Sequence, residues 1–200
     1  MQNFEVLIDM HTEKYLTRIL RPSEFEALLL GAEEITRSEN QKLINSLRLR
    51  VALVTGMRYS ELREFAKHPE WYNRKDNYIL IPREKKHGRG VKRRYVRLPD
   101  IAREIIPTFL SLKCGFPAQA PFITALKRWA EAGGIKPDYI TTKTFRKTWE
   151  SWLVVSYPDK KEEIALSQGH KKTTMLEHYL NIPFTEEDKQ KMRYWVRGWG

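Results

Sequence analysis

Two hundred residues with 36 Lys+Arg against 25 Asp+Glu, a net charge of +11 and 41% hydrophobic residues make one large domain or two small ones, with a proper core and a surface that favours a polyanion. No run of 18 apolar residues exists to span a bilayer, and the opening MQNFEVLIDMHTEK carries acids and no apolar core, which excludes a secretory signal. Cys114 stands alone, which excludes disulfides and cysteine-based zinc sites and points to a reducing, intracellular compartment.

In chain order, residues 1–20 read as a lead-in. RPSEFEALLLGAEEI predicts a helix, with Ser23 and Glu26 as an S-x-x-E capping box, Pro22 just outside it, and Leu28, Leu29, Ala32 and Ile35 on one face. A second helix over 41–54 places Leu43, Leu47, Val51 and Val54 at helical spacing. Thr55-Gly56 ends it, and Ser60 caps a short third helix, ELREFAK. The period then changes. NYILIPRE is β-rich, VKRRYVRLP alternates charged and apolar residues, and KKHGRG lies between them, which predicts a hairpin. Helical patterns return over 101–113, 121–132 and 142–155, with shorter ones over 159–167, 173–180 and 186–196. In the last, Thr185 is the cap, and Met192, Trp195, Val196 and Trp199 are apolar anchors. The fold class is mainly α with a small antiparallel β-sheet (α+β).

Four stretches can carry chemistry. The hairpin holds Arg83, Lys85, Lys86, Arg89, Lys92, Arg93, Arg94 and Arg97 against Glu84 alone. Lysines do guard sheet edges, but a one-sign hairpin repels itself unless an anion answers it, which favours a nucleic-acid backbone. In TGMRYSEL, Arg58 follows a glycine in the break between two helices. It is either a surface arginine or a two-pronged donor aimed into a cleft, with Glu61 one turn on as buttress. In TTKTFRKTWESWL, Lys143 and Arg146 share a face near a helix start. That is the basic outer face of an amphipathic helix or a place for a phosphate. In SQGHKKTTMLEHYLN, Tyr179 stands nine residues after His170, as a packing residue or a nucleophile. The histidines at 11, 68, 87, 170 and 178 form no H-E-x-x-H pattern, so no metal is implied.

Taken in order, these elements resemble the catalytic domain of the tyrosine recombinases, the phage-type and Xer-type integrases. The family's T-G-x-R-x-S-E-L box is matched as Thr55-Gly56-Met57-Arg58-Tyr59-Ser60-Glu61-Leu62. Its H-x-x-R box stands here as Lys143-Thr144-Phe145-Arg146, and its L-G-H as Gln168-Gly169-His170, with Tyr179 at the family's spacing. The lysine in place of histidine points to archaeal or archaeal-virus members.

The resemblance covers residues 21–184. It makes 1–20 a lead-in or linker remnant and 185–200 a terminal helix, docked on a neighbouring protomer or packed on its own domain. It implies a site-specific recombinase that cuts and rejoins DNA through a 3′-phosphotyrosyl intermediate without a cofactor. Arg58, Lys143, Arg146, His170 and Tyr179 would be catalytic, and Lys86, or Lys85, would protonate the leaving 5′-oxygen. Arg83, Arg89, Lys92, Arg93 and Arg94 would contact double-stranded DNA. The protein would be cytoplasmic, on nucleoid or host DNA, as a homo-oligomer: a tetramer on two sites. The rival readings are a type IB topoisomerase, a non-catalytic DNA-binding module with Tyr179 in its core, and an RNA-binding protein stacking bases on Tyr78 and Tyr95.

Overall fold

The computed structural model describes residues 17–82, 93–169 and 183–200. Helix α1 (Pro22–Glu34) begins two residues earlier than the S-x-x-E pattern predicts. Proline suits the first helical position, where no N–H is needed, and Glu24 Oε2 reaches back to accept from the Arg21 N–H at 2.8 Å. At the other end, Ile35 falls past the last helical residue and is 40% exposed. Helix α2 (Glu39–Thr55) is capped by Ser38 and stopped by Gly56, which takes the left-handed conformation at φ 55°. Leu47, Val51 and Val54 are buried as expected, while Leu43 is exposed. Helix α3 (Tyr59–Phe65) has its N-cap at Arg58 rather than at Ser60, again because a carboxylate three residues on, Glu61, caps the backbone N–H.

The sheet is antiparallel, in the order β1 (Tyr72–Asn73), β2 (Tyr78–Ile81), β3 (Arg94–Arg97). Its register sets Ile79 against Val96, both wholly buried, and Ile81 against Arg94. Strand β1, too short to show a periodic pattern, is the addition to the expected hairpin. Asn77, at φ 54°, turns the chain into β2 and donates through Nδ2 to the Leu98 and Pro99 carbonyls. Helices α4 (Ala102–Ser111), α5 (Gln119–Ala132) and α6 (Lys143–Ser156) follow. After a 3₁₀ turn at Pro158–Lys160 come α7 (Lys161–Gln168) and α8 (Glu186–Val196). The helix expected over 173–180 lies outside the described residues. No described helix is long and apolar enough to cross a membrane.

Phe25 and Leu28 of α1, Leu49 and Leu53 of α2, and Trp149 and Trp152 of α6 form a wholly buried centre. The seam between α1 and α5 is so close that a Cβ on Gly31 would lie 2.0 Å from the Trp129 carbonyl oxygen. One on Gly133 would lie 2.1 Å from that of Ala27. Helix α6 also holds the incoming chain: Thr148 Oγ1 accepts from the Leu20 N–H at 3.0 Å, and Trp152 Nε1 donates to the Leu20 carbonyl at 3.0 Å. The anchors of α8, Met192, Trp195 and Val196, are buried within this same chain, Trp195 edge-on to Phe25 at 5.3 Å. Trp199 continues that packing and donates to the Arg97 carbonyl of β3 at 3.0 Å. These contacts leave α6, its Arg146 side chain, the α2–α3 turn and α7 on one firm support.

Candidate active site

The last carbonyls of a helix have no intrahelical partner and carry its partial negative charge. At the end of α7 three consecutive ones are taken by three arginines. Arg94 Nη1 donates to the Ser167 carbonyl at 2.5 Å, Arg146 Nη2 to that of Gln168, and Arg58 Nη2 to that of Gly169 at 3.4 Å. The donors come from β3, from α6 and from the start of α3. Gly169, at φ 68°, turns the chain out of the helix, and His170 is next.

Arg58 owes its place to the turn before it. Gly56 is squeezed between α6 and α7: a Cβ there would stand 2.6 Å from Trp149 Cδ1 and 2.7 Å from Gln168 Oε1. Past that turn, Glu61 grips Arg58 twice, accepting from its backbone N–H at 2.8 Å and pairing with Nη1 at 3.0 Å. The Arg58 side chain is nonetheless 41% exposed, so the guanidinium is anchored with one edge open. Burial would raise the Glu61 carboxyl, but Arg94 and Arg58 hold it below the usual carboxylate range.

Arg146 lies deeper, 8% exposed. Nη1 donates to the Gly56 carbonyl at 3.1 Å and Nε faces Glu150 at 3.3 Å. Burial, with Arg58 and Arg94 adding to it, pushes Arg146 down to about 10 against the pull of Glu150, and it keeps its charge at neutral pH. Among the described residues, the guanidinium groups of Arg58, Arg94 and Arg146 gather with the carboxylates of Glu61 and Glu150. Arginine matches a phosphate through two parallel N–H donors.

Of the residues singled out in the sequence, Arg58 and Arg146 both reach the end of α7. Arg146 is not on an outer basic face. Lys143 is exposed at the first residue of α6, and its charge, added to burial, lowers the neighbouring Lys147. Arg93 is exposed beside the hairpin. Arg94 corrects the expectation. Instead of facing DNA it is 5% exposed and turned inward, bound to Glu61 and the Ser167 carbonyl. Alternation along β3 puts Arg94 on the same face as Val96, and that was the signal to read. Arg83, Lys85, Lys86, Arg89, Lys92, His170 and Tyr179 lie outside the described residues.

Gln168, where the family has leucine, is wholly buried and donates through Nε2 to the Thr55 carbonyl at 3.3 Å, tying α7 to the end of α2. The phenol next to Arg58 is engaged and hard to ionise. Tyr59 donates to the Pro117 carbonyl at 3.0 Å, and burial pushes it up to about 12.

Comparison with known proteins fits this arrangement. The model of the phage integrase family matches residues 18–186. No protein of curated function matches by sequence. Among solved structures, the XerH site-specific recombinase bound to difH substrate, in a pre-cleavage complex, superposes with a TM-score of 0.57 at 20% identity. The match covers 80% of this chain and 49% of that one. The XerH post-cleavage complex with palindromic difH substrate gives 0.57 at 19% identity, over 90% and 52%. The XerA recombinase gives 0.61 at 14% identity, over 90% and 63%. The chain thus spans half to just under two thirds of the length of these recombinases, and the likeness is one of fold. Since the matched stretch contains the α2–α3 turn, β3, α6 and the end of α7, the chain belongs to the phage integrase family and has the tyrosine recombinase catalytic-domain fold.

Proposed function

We propose that this chain is the catalytic part of a site-specific DNA recombinase. The observation that carries the reading is the arginine clasp on α7, with Arg58 half open and Arg146 charged behind it. A phosphodiester repels its nucleophile, so a catalyst must neutralise the charge that grows on the non-bridging oxygens. Arg58 and Arg146 supply that neutralisation, already oriented by carbonyls and carboxylates, and His170 joins them at the same phosphate. Tyr179 Oη loses its proton to His170 or to water as it attacks phosphorus and forms the 3′-phosphotyrosyl ester. The bond to the 5′-oxygen breaks, and that oxygen takes a proton from Lys86 or Lys85. A 5′-hydroxyl from a second end then attacks the ester, returns the phenol and rejoins the strand.

The partner is double-stranded DNA, contacted by the basic hairpin through Arg83, Arg89, Lys92 and the exposed Arg93 and drawn by the net charge of +11. A homo-oligomer on two DNA sites, working where the cell keeps its DNA, completes the proposal. The test is a nicked suicide duplex in which the 5′ fragment diffuses away after cleavage. Wild type should leave a denaturant-resistant protein–DNA adduct, and Tyr179→Phe should leave none. An adduct formed equally by both, or by neither, sinks the reading.

A further inference from the structure

Arg94 is the most deeply buried member of the clasp, 5% exposed against 8% for Arg146. Its Nη2 binds Glu61 Oε2 and its Nη1 the Ser167 carbonyl, each at 2.5 Å. Glu61 uses its other oxygen on Arg58 Nη1 at 3.0 Å. Strand β3 meets the same serine a second time, where the Arg97 N–H donates to Ser167 Oγ at 3.1 Å. Across the sheet Arg94 faces Ile81, the last residue of β2. It therefore sits at the root of the stretch that carries Lys85 and Lys86. One residue joins the base of the hairpin through its strand pairing, and through its side chain the carboxylate that holds Arg58 and the helix end that precedes His170.

Stability does not explain such a residue. A buried ion pair seldom outperforms apolar side chains of similar volume, because desolvation of both charges offsets their attraction. What two prongs at fixed spacing confer is geometry. We propose that Arg94 is a positioning residue: by bridging Glu61 and the Ser167 carbonyl it fixes the Arg58 guanidinium against the end of α7, and it registers the hairpin root to both. The inference rests on the strand-transfer reading above. Glu61 acts on Arg58, and Arg94 acts through Glu61, so the two should fail as one unit.

The test has an arm that needs no reaction. In ¹⁵N-labelled protein, the Arg58 Nη signals should be resolved in wild type, where Nη1 and Nη2 have different partners, and averaged in Arg94→Gln and in Glu61→Gln, with core amide signals unmoved. In the suicide-duplex assay, Arg94→Gln and Glu61→Gln should each slow single-turnover cleavage by roughly 30-fold, and the double variant by little more than either, since coupled residues are non-additive. Arg94→Lys, with one prong in place of two, should fall between. Duplex affinity and its salt dependence should stay those of wild type. Loss of a direct phosphate contact would instead weaken binding and lower the salt slope by about one.

An unaltered Arg58 signal in Arg94→Gln overturns the proposal. So does wild-type cleavage, multiplication of the two losses in the double variant, or a reduced salt slope. If wild type itself forms no adduct, the strand-transfer reading fails while the Arg58 signal still decides the coupling. Should Arg94→Gln not fold, Arg94→Lys and Glu61→Gln carry both arms with the same expected directions.

Discussion

Two seams of this molecule bring backbone closer than a side chain would allow, and they are held by opposite means. Between α1 and α5, Gly31 and Gly133 let each helix touch the other's carbonyls, and shape alone does the holding. Between the α2–α3 turn, α6 and α7, Gly56 makes a similar close approach, but the partners are Trp149 and the Gln168 amide, with three arginines around them. Among the described residues, Trp149 Nε1, Ser151 Oγ and Gln168 Oε1 are buried here without a hydrogen-bond partner. Local rules of satisfaction are broken at functional sites and kept elsewhere. The first seam is built for stability and the second holds charge in place for something else to meet.

Replacements should separate the two, beginning with the largest effect. Arg146→Ala should slow single-turnover cleavage by about 10²–10³-fold, the usual penalty for losing one donor to a charged transition state. Rapid-quench kinetics on the suicide duplex measure it, and a loss below tenfold would remove Arg146 from the chemistry. Gly31→Ala should lower stability by about 1–3 kcal/mol, the ordinary result of overpacking, read from urea midpoints. Cleavage per folded molecule should not change, and a matching loss of rate would merge the seams into one.

A smaller effect separates them by pH. Glu61 is held below the usual 4.5, so the stability it adds is complete above that value and is lost as pH falls through its lower folded value. Urea midpoints of wild type should therefore drop below about pH 4.5 more steeply than those of Glu61→Gln, while Gly31→Ala should run parallel to wild type. Identical slopes for wild type and Glu61→Gln would show that the carboxylate is not coupled to folding. Least of all, Lys189→Ala, which removes an exposed pair with Glu186 on α8, should leave melting and cleavage unchanged. A measurable shift there would place α8 in the function.

Much of this contrast was legible in the sequence. Apolar spacing gave the helices, and Gly56 before Arg58 marked the turn that presents it. K-x-x-R marked the helix that sends Arg146 inward. What escaped had a physical cause. The start of α1 moved because proline at a first helical position and a carboxylate two residues on outcompete a serine cap. Strand β1 is two residues long, too few for alternation to register. Gly31 passed as an ordinary residue of LLLGAEE, since only the facing Trp129 carbonyl reveals why no side chain fits. Arg94 was counted with the hairpin's charges, although its phase with Val96 and Leu98 set it on the inner face.

The clasp on α7 has a bearing on how the protein is made. Its three bonds join residues 111, 73 and 22 positions apart, and contacts so distant along the chain close late because each must overcome its own loop entropy. A growing polypeptide has no such clasp until the end of α7 has left the ribosome and the carbonyls of Ser167, Gln168 and Gly169 have each met their donor. A partly folded molecule therefore lacks the gathered arginines, and topology alone keeps that charge from being arrayed too early.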